Sequence, residues 1–270
     1  MSTHYKIAII SAYIGNGGKT GSLSFTDSAM KQLNEYGVDI YSFSNADLTI
    51  LKSMSHPKSE VKINVEKYKR RLYGYYYRQK TYPNPTDNET RLLAKIPKIL
   101  FYKLIPEKYD YYIWLDSKFT IEEHWLDYVL WLISNKNKFD IMTSIHSDRK
   151  SINDEFNFMW KLAKNNNLGV QQKYNLSEIA LQRDEYRRNK WFDDDALYEL
   201  TMIIYSNNIL NKKEFCEEWY AHNVHFSIQD QISFPFLCKK HKIKVCPIFQ
   251  YVFDMPFVIH EYGHSKQLYE

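Results

Sequence analysis

The sequence predicts an α/β fold, a mainly parallel sheet flanked by helices, on three observations. Tyr111-Tyr112-Ile113-Trp114-Leu115 is a continuous apolar run of strand length that stops at Asp116, the pattern of a buried parallel strand whose last residue leaves the carboxyl edge of a sheet. The amino-terminal part reads as strand, helix, strand. Beyond Asp116 the same alternation resumes through Phe139-Asp140-Ile141-Met142-Thr143-Ser144-Ile145. With 270 residues and no convincing linker or internal repeat, one domain is expected.

Taken in order, Ile7 to Ser11 is short and apolar, suited to a first buried strand, and it passes into the glycine-bearing loop Gly15-Asn16-Gly17-Gly18. A helix from about Asp27 to Tyr36 ends at Gly37, and Val38 to Phe43 supplies a second strand that runs into polar Ser44-Asn45-Ala46-Asp47. Residues 52 to 88 are rich in Lys, Arg and Tyr and read as a helix followed by an exposed loop through Pro83-Asn84-Pro85. From Glu89 a helical pattern meets Pro97, which suits the first turn of a second helix reaching about Ile105. After the Asp116 strand, Trp125, Leu126, Val129, Leu130 and Ile133 recur at helical spacing.

The second half is less regular. A polar helical stretch covers about 153 to 190, Thr201 to Tyr205 is strand-like, and Lys213 to His222 and Asp230 to Lys240 read as helices. Lys244 to Ile248 is a short strand, and Val258 to His264 closes the pattern.

Composition narrows the function classes. The 23 Tyr, 15 Phe and 6 Trp against only 8 Gly and 8 Pro argue against extensive low-complexity segments. A formal charge of +4, dispersed along the chain, is too weak for a nucleic-acid binder but suits an anionic small ligand. Cys216, Cys238 and Cys246 have no CxxC spacing, and three thiols cannot all pair, which argues against a disulfide framework or structural zinc and for a reducing compartment. No window is long and apolar enough for a signal peptide or a bilayer span, so a cytoplasmic protein is expected, with peripheral membrane contact left open.

Several constellations could carry chemistry. A charge at the end of a buried strand is costly without a partner, so Asp116 either faces a metal, a ribose hydroxyl or a basic side chain, or caps the next helix. Arg91, Lys95 and Lys98, spaced by four and then three, share one helical face; with Lys118 they could hold a diphosphate, or they are a solvated basic face. His146, Arg149 and Glu155 concentrate ionisable groups beyond the next strand, either as a pocket wall or as a loop-fixing ion pair. Glu199 and Asp230 each stand beside an apolar run, either accepting a proton from a hydroxyl or, for Asp230, capping a helix. His260 and His264 are surface histidines or complete a metal shell begun by Asp116. Gly15-Asn16-Gly17-Gly18-Lys19-Thr20 suggests a P-loop, but the glycine required five positions before Gly18 is Tyr13, which makes an NTPase a third reading.

In this order the segments resemble a GT-A glycosyltransferase, more narrowly the glycosyltransferase-like family known from plant mucilage and turgor-defect proteins. The resemblance is carried by Ser11 to Gly15, the Arg91/Lys95/Lys98 stripe with Ile96-Pro97-Lys98, Ile113 to Lys118, and His146 through Arg149 to Ile152 and Glu155. It continues through Leu197-Tyr198-Glu199 and Asp230-Gln231-Ile232-Ser233. It implies a GT-A-like, Rossmann-type sheet that moves a sugar from a nucleotide sugar, UDP-linked by expectation, to a glycan or other hydroxyl acceptor in polysaccharide synthesis. The donor would lie over residues 1–145, with Tyr13, Arg91, Lys95, Lys98 and Lys118. The acceptor would lie toward residues 146–270, with His146, Arg149, Glu155 and Gln231 lining its pocket and Asp116, Glu199 and Asp230 carrying the chemistry. Many GT-A enzymes place a second aspartate where this chain has Lys118, so Mn2+ or Mg2+ is implied while a metal-independent route stays open. A catalytically silent glycan-binding scaffold on the same fold is the alternative, suggested by that substitution and by Tyr73-Gly74-Tyr75-Tyr76-Tyr77.

Overall fold

The computed structural model describes residues 4–13, 23–44, 60–62, 85–136, 138–164, 175–189, 196–249 and 258–260. The strands are β1 (Ile7–Tyr13), β2 (Ser24–Phe25), β3 (Asp39–Ser44), β4 (Glu60–Lys62), β5 (Tyr111–Leu115), β6 (Phe119–Ile121), β7 (Ile141–Ile145), β8 (Tyr198–Ser206), β9 (Val245–Ile248) and β10 (Val258–His260). The helices are α1 (Asp27–Tyr36), α2 (Pro85–Ile99), α3 (Trp125–Ser134), α4 (Ile152–Lys164), α5 (Leu176–Arg188), α6 (Lys213–His225) and α7 (Asp230–Lys240).

The main sheet has the strand order β4-β3-β1-β5-β8-β7-β9. Its strands run parallel except β8, which is antiparallel to both β5 and β7. The α/β expectation is therefore met, with a reversed strand inserted into the sheet. A small second sheet, β10-β6-β2, forms beside the Asp116 turn. Among the described residues no helix is long and apolar enough to cross a membrane.

Strand alternation divides the core into two layers. Ile7 and Ile9 of β1 and Ile113 and Leu115 of β5 point to the side covered by α1 and α3, where Leu33, Trp125 and Val129 are buried. Ala8, Ile10, Tyr112 and Trp114 point to the other side, which holds apolar residues of α2, α4, α5, α6 and α7. The carboxyl ends of β1, β5 and β7 open on the same edge, the usual ligand edge of such a sheet.

Local differences from the sequence reading have identifiable causes. Pro97 lies inside α2 rather than starting a new helix; it sits in the last turn, where its missing N–H costs one hydrogen bond, and a short 3-10 turn at Phe101–Lys103 follows. The strand expected at Thr201 extends back to Tyr198, because its first residues pair with β7, so Glu199 lies within the strand. The polar stretch 153–190 contains two helices, α4 and α5. Within 52–88, read as helix then loop, residues 60–62 instead add an edge strand beside β3. The glycine-rich segment 15–20 and Tyr73–Tyr77 lie outside the described residues.

Helix α1 shows how local sequence fixes these boundaries. The Thr26 hydroxyl caps its start by accepting from the Ala29 N–H at 3.3 Å. Gly37, at φ 82°, ends it with its N–H on the Leu33 and Asn34 carbonyls, while the Val38 N–H returns to Leu33. A Cβ at Gly37 would meet nothing within 4 Å, so only the left-handed backbone resists substitution. Gly37→Ala is expected to lower stability by about 1 kcal/mol and Gly37→Asn by less. Urea denaturation reads both, and an unchanged Gly37→Ala midpoint would contradict the assignment.

Candidate active site

Asp116 leaves β5 at the carboxyl edge and is anchored twice. Its N–H donates to the Thr201 carbonyl of β8 at 2.9 Å, and the indole N–H of buried Trp114 donates to its Oδ1 at 2.8 Å. Residues two apart on a strand share a face, which is why Trp114 reaches it. The carboxylate is thus aimed toward the layer beneath α2 and α7.

On α2, Lys95 and Lys98 stand one turn apart and converge on one acid. Asp230, the first residue of α7, forms ion pairs through Oδ2 with Lys95 Nζ at 3.0 Å and Lys98 Nζ at 2.8 Å, all three side chains being largely buried. Lys98 Nζ also lies 5.7 Å from the centre of the Trp114 ring, which links this triad to Asp116. Burial pushes the Lys95 ammonium down from 10.5 to about 8, although Asp230 pulls it upward. Burial alone would raise the Asp230 carboxyl, but the two ammonium groups outweigh it and hold the acid well below the usual carboxylate range. Two ammonium groups share Asp230, and the Asp116 carboxylate also favours the charged Lys95, so the formal charges of the four side chains balance.

A second polar cluster lies at the carboxyl end of β7. The His146 N–H donates to the Leu197 carbonyl at 2.9 Å, fixing the turn. The Asp148 and Arg149 N–H groups approach His146 Nδ1 at 3.1 and 3.2 Å, and Arg149 Nη2 lies 2.6 Å from Nε2. Arg149 Nε pairs with Glu155, and its guanidinium stacks on Phe158 at 4.1 Å. Burial and the Arg149 charge push His146 down to about 4, so the ring is neutral at pH 7. Glu199 Oε1 lies 3.8 Å from His146 Nδ1, too far for a hydrogen bond but within one pocket wall.

The start of α7 joins the two clusters. Asp230 turns to the lysines, while neighbouring Gln229 donates from Nε2 to Glu155 at 3.1 Å and also reaches Gln231. The structure therefore brings together Asp116, Lys95, Lys98 and Asp230 in one group, and His146, Arg149, Glu155, Glu199 and Gln231 in another. Arg91, one turn earlier on α2, is exposed. Lys118 lies in the β5–β6 turn with Nζ 5.7 Å from the Phe119 ring centre. His260 pairs through its backbone with Phe119, which returns the chain close to that turn. The Tyr13 side chain and His264 lie outside the described residues.

Sequence reasoning missed Thr143, whose hydroxyl lies 2.6 Å from the Glu199 carbonyl and 2.7 Å from that of Met202. It also missed Gln229 as the bridge and Trp114 as the partner of Asp116. A threonine inside an apolar strand carries no signal of such a role.

A family model described as TOD1/MUCI70, glycosyltransferase-like domain, matches residues 61–258. No curated protein matches the sequence. Among solved structures, mouse xyloside xylosyltransferase 1 in its apo form is similar at 7% identity, over 90% of this chain and 85% of that one, with a TM-score of 0.49. The galactosyltransferase LgtC, in complex with donor and acceptor sugar analogues, is similar at 9% identity over 89% and 72%, with a TM-score of 0.43. Core-mannan synthase A from Aspergillus fumigatus, in a Mn/GDP form, is similar at 11% identity over 90% and 72%, also at 0.43.

Asp230→Asn would leave both ammonium groups buried against a neutral amide. It is expected to cost about 3–5 kcal/mol. Adding Lys98→Met to that variant removes one of the stranded charges and should recover part of the loss. Denaturant unfolding of both variants tests this, and an unaffected single variant would contradict the triad.

Proposed function

We infer the activity from one premise, that this chain belongs to the TOD1/MUCI70 glycosyltransferase-like family, and we propose that it transfers a sugar from a nucleotide sugar to a hydroxyl acceptor. The observation that carries this is the Lys95–Asp230–Lys98 triad set beside Asp116 at the carboxyl edge of the sheet. Two ammonium groups held together at the ligand edge of the sheet are the donors that a sugar nucleotide's diphosphate needs.

In this reading Asp116 contacts the donor ribose or a metal, while Lys95, Lys98 and Lys118 neutralise the diphosphate as it leaves with the electrons of the glycosidic bond. Exposed Arg91 and, by its place at the end of β1, Tyr13 are assigned to donor binding in the same reading. His146, Arg149, Glu155 and Gln231 form the acceptor side, where Glu155 fixes the Arg149 guanidinium against Phe158. Glu199 is a better proton acceptor for the attacking hydroxyl than Asp230, because two ammonium groups already hold Asp230 in its ionised form. UDP-sugars are the first donors to test and glycans the first acceptors.

Among the described residues no group of three or more His, Cys, Asp or Glu side chains is placed to hold a metal. One carboxylate with phosphate oxygens suffices for Mg2+ or Mn2+, so Asp116 fits as the protein ligand, with His260 and His264 as further candidates. Such an ion would supply additional charge to the leaving diphosphate, and Lys118 would supply part of that charge without it.

Purified protein incubated with a panel of nucleotide sugars, with and without Mn2+, is expected to release nucleoside diphosphate in an acceptor-stimulated reaction. Asp116→Asn and Glu199→Gln should each lower kcat by on the order of 100-fold or more. Turnover that survives both substitutions would overturn the assignment of the site.

A further inference from the structure

Strand β8 breaks register once, at the edge where the site lies. Against β7, Thr143 pairs with Ile203 but the next residue, Ser144, pairs with Glu199. Leu200, Thr201 and Met202 therefore have no counterpart on β7, while on the other side β8 continues smoothly along β5 to Leu115 and Met202. Such a bulge redirects the residues at its shoulders.

Thr143 is fully buried, and its hydroxyl faces two carbonyls at the ends of this irregular stretch, those of Glu199 at 2.6 Å and Met202 at 2.7 Å. One proton shared between two carbonyl oxygens holds them at a fixed separation. The bulge in turn presents the Thr201 carbonyl to the Asp116 N–H at 2.9 Å. It also carries the Glu199 side chain toward His146, whose own N–H is held at 2.9 Å by Leu197 just upstream. A single side chain thus braces the backbone from which the donor-side and acceptor-side carboxylates both take their positions.

We propose that Thr143 is a positioning residue for sugar transfer, clamping the β8 bulge so that Asp116 and Glu199 keep the spacing the reaction needs. This rests on the reading of Asp116 and Glu199 given above. Thr143 touches neither substrate, so its contribution falls on the geometry of the transition state more than on donor binding.

Thr143→Val keeps the branched shape and removes the hydroxyl. Its kcat should fall on the order of 10- to 100-fold, with the donor KM held within about twofold. Thr143→Ser, which restores the hydroxyl, should return kcat to within about threefold of the parent, whereas Thr143→Ala should not. If the valine variant does not fold, the serine and alanine pair makes the same comparison. Hydrogen exchange provides a readout independent of turnover: in Thr143→Val or Thr143→Ala the amides of Asp116 and His146 should exchange about tenfold faster, while those of Tyr112 and Ile113 stay protected. Parent-like kcat in the valine variant, or a serine variant as impaired as alanine, would overturn the proposal, as would unchanged exchange at both amides. A parent protein that turns over no nucleotide sugar would sink the assigned activity instead, and the exchange data would still decide the role of Thr143.

Discussion

Two lysines sharing one buried aspartate is the constraint around which this molecule is organised. Lys95 and Lys98 come from α2, Asp230 from the first turn of α7, and their pairing offsets much of the cost of burying three charges. A buried ion pair adds little net stability over apolar packing, and an uneven triad is costlier still, so this arrangement makes more sense as a site than as a brace. Its position supports that view. Lys98 lies over Trp114, Trp114 holds Asp116, and Asp116 stands at the sheet edge where α/β proteins take their ligands.

The rest of the architecture brings the His146 cluster up to those charges. The antiparallel β8 lies between β5 and β7, so its backbone touches both the strand that carries Asp116 and the strand that leads to His146. The α7 start does the same from above, with Asp230 on the lysines and Gln229 on Glu155. Both links tie the amino-terminal and carboxyl-terminal parts of the chain into one surface. His146, pushed down to about 4 by burial and Arg149, is neutral there at pH 7.

Much of this was legible in the sequence because burial leaves a strong pattern. An apolar run broken by one carboxylate placed Asp116 at a strand end, and the alternation of strand and helix signals gave the sheet. Lys95 and Lys98 stand out with Arg91 by helical spacing, and Glu199 and Asp230 as carboxylates beside apolar runs. Strand direction could not be read: nothing in Thr201 to Tyr205 distinguishes a parallel from an antiparallel neighbour. The Lys95–Asp230–Lys98 pairing was equally hidden, since it joins segments far apart in the chain and each partner alone resembles a solvated helix face or a cap. The small sheet β10-β6-β2 is built from strands of two or three residues, too short for any periodicity.

The central claim is that the Lys95 and Lys98 ammonium groups beside Asp116 receive a diphosphate. Calorimetric titration of nucleoside diphosphates at pH 8, in two buffers of different ionisation enthalpy, tests it directly. Because burial pushes the Lys95 ammonium down to about 8, an arriving anion raises its proton affinity, so binding should take up protons, and this uptake should vanish in Lys95→Met. Absence of binding by every nucleoside diphosphate, or proton uptake that persists in Lys95→Met, would contradict the account.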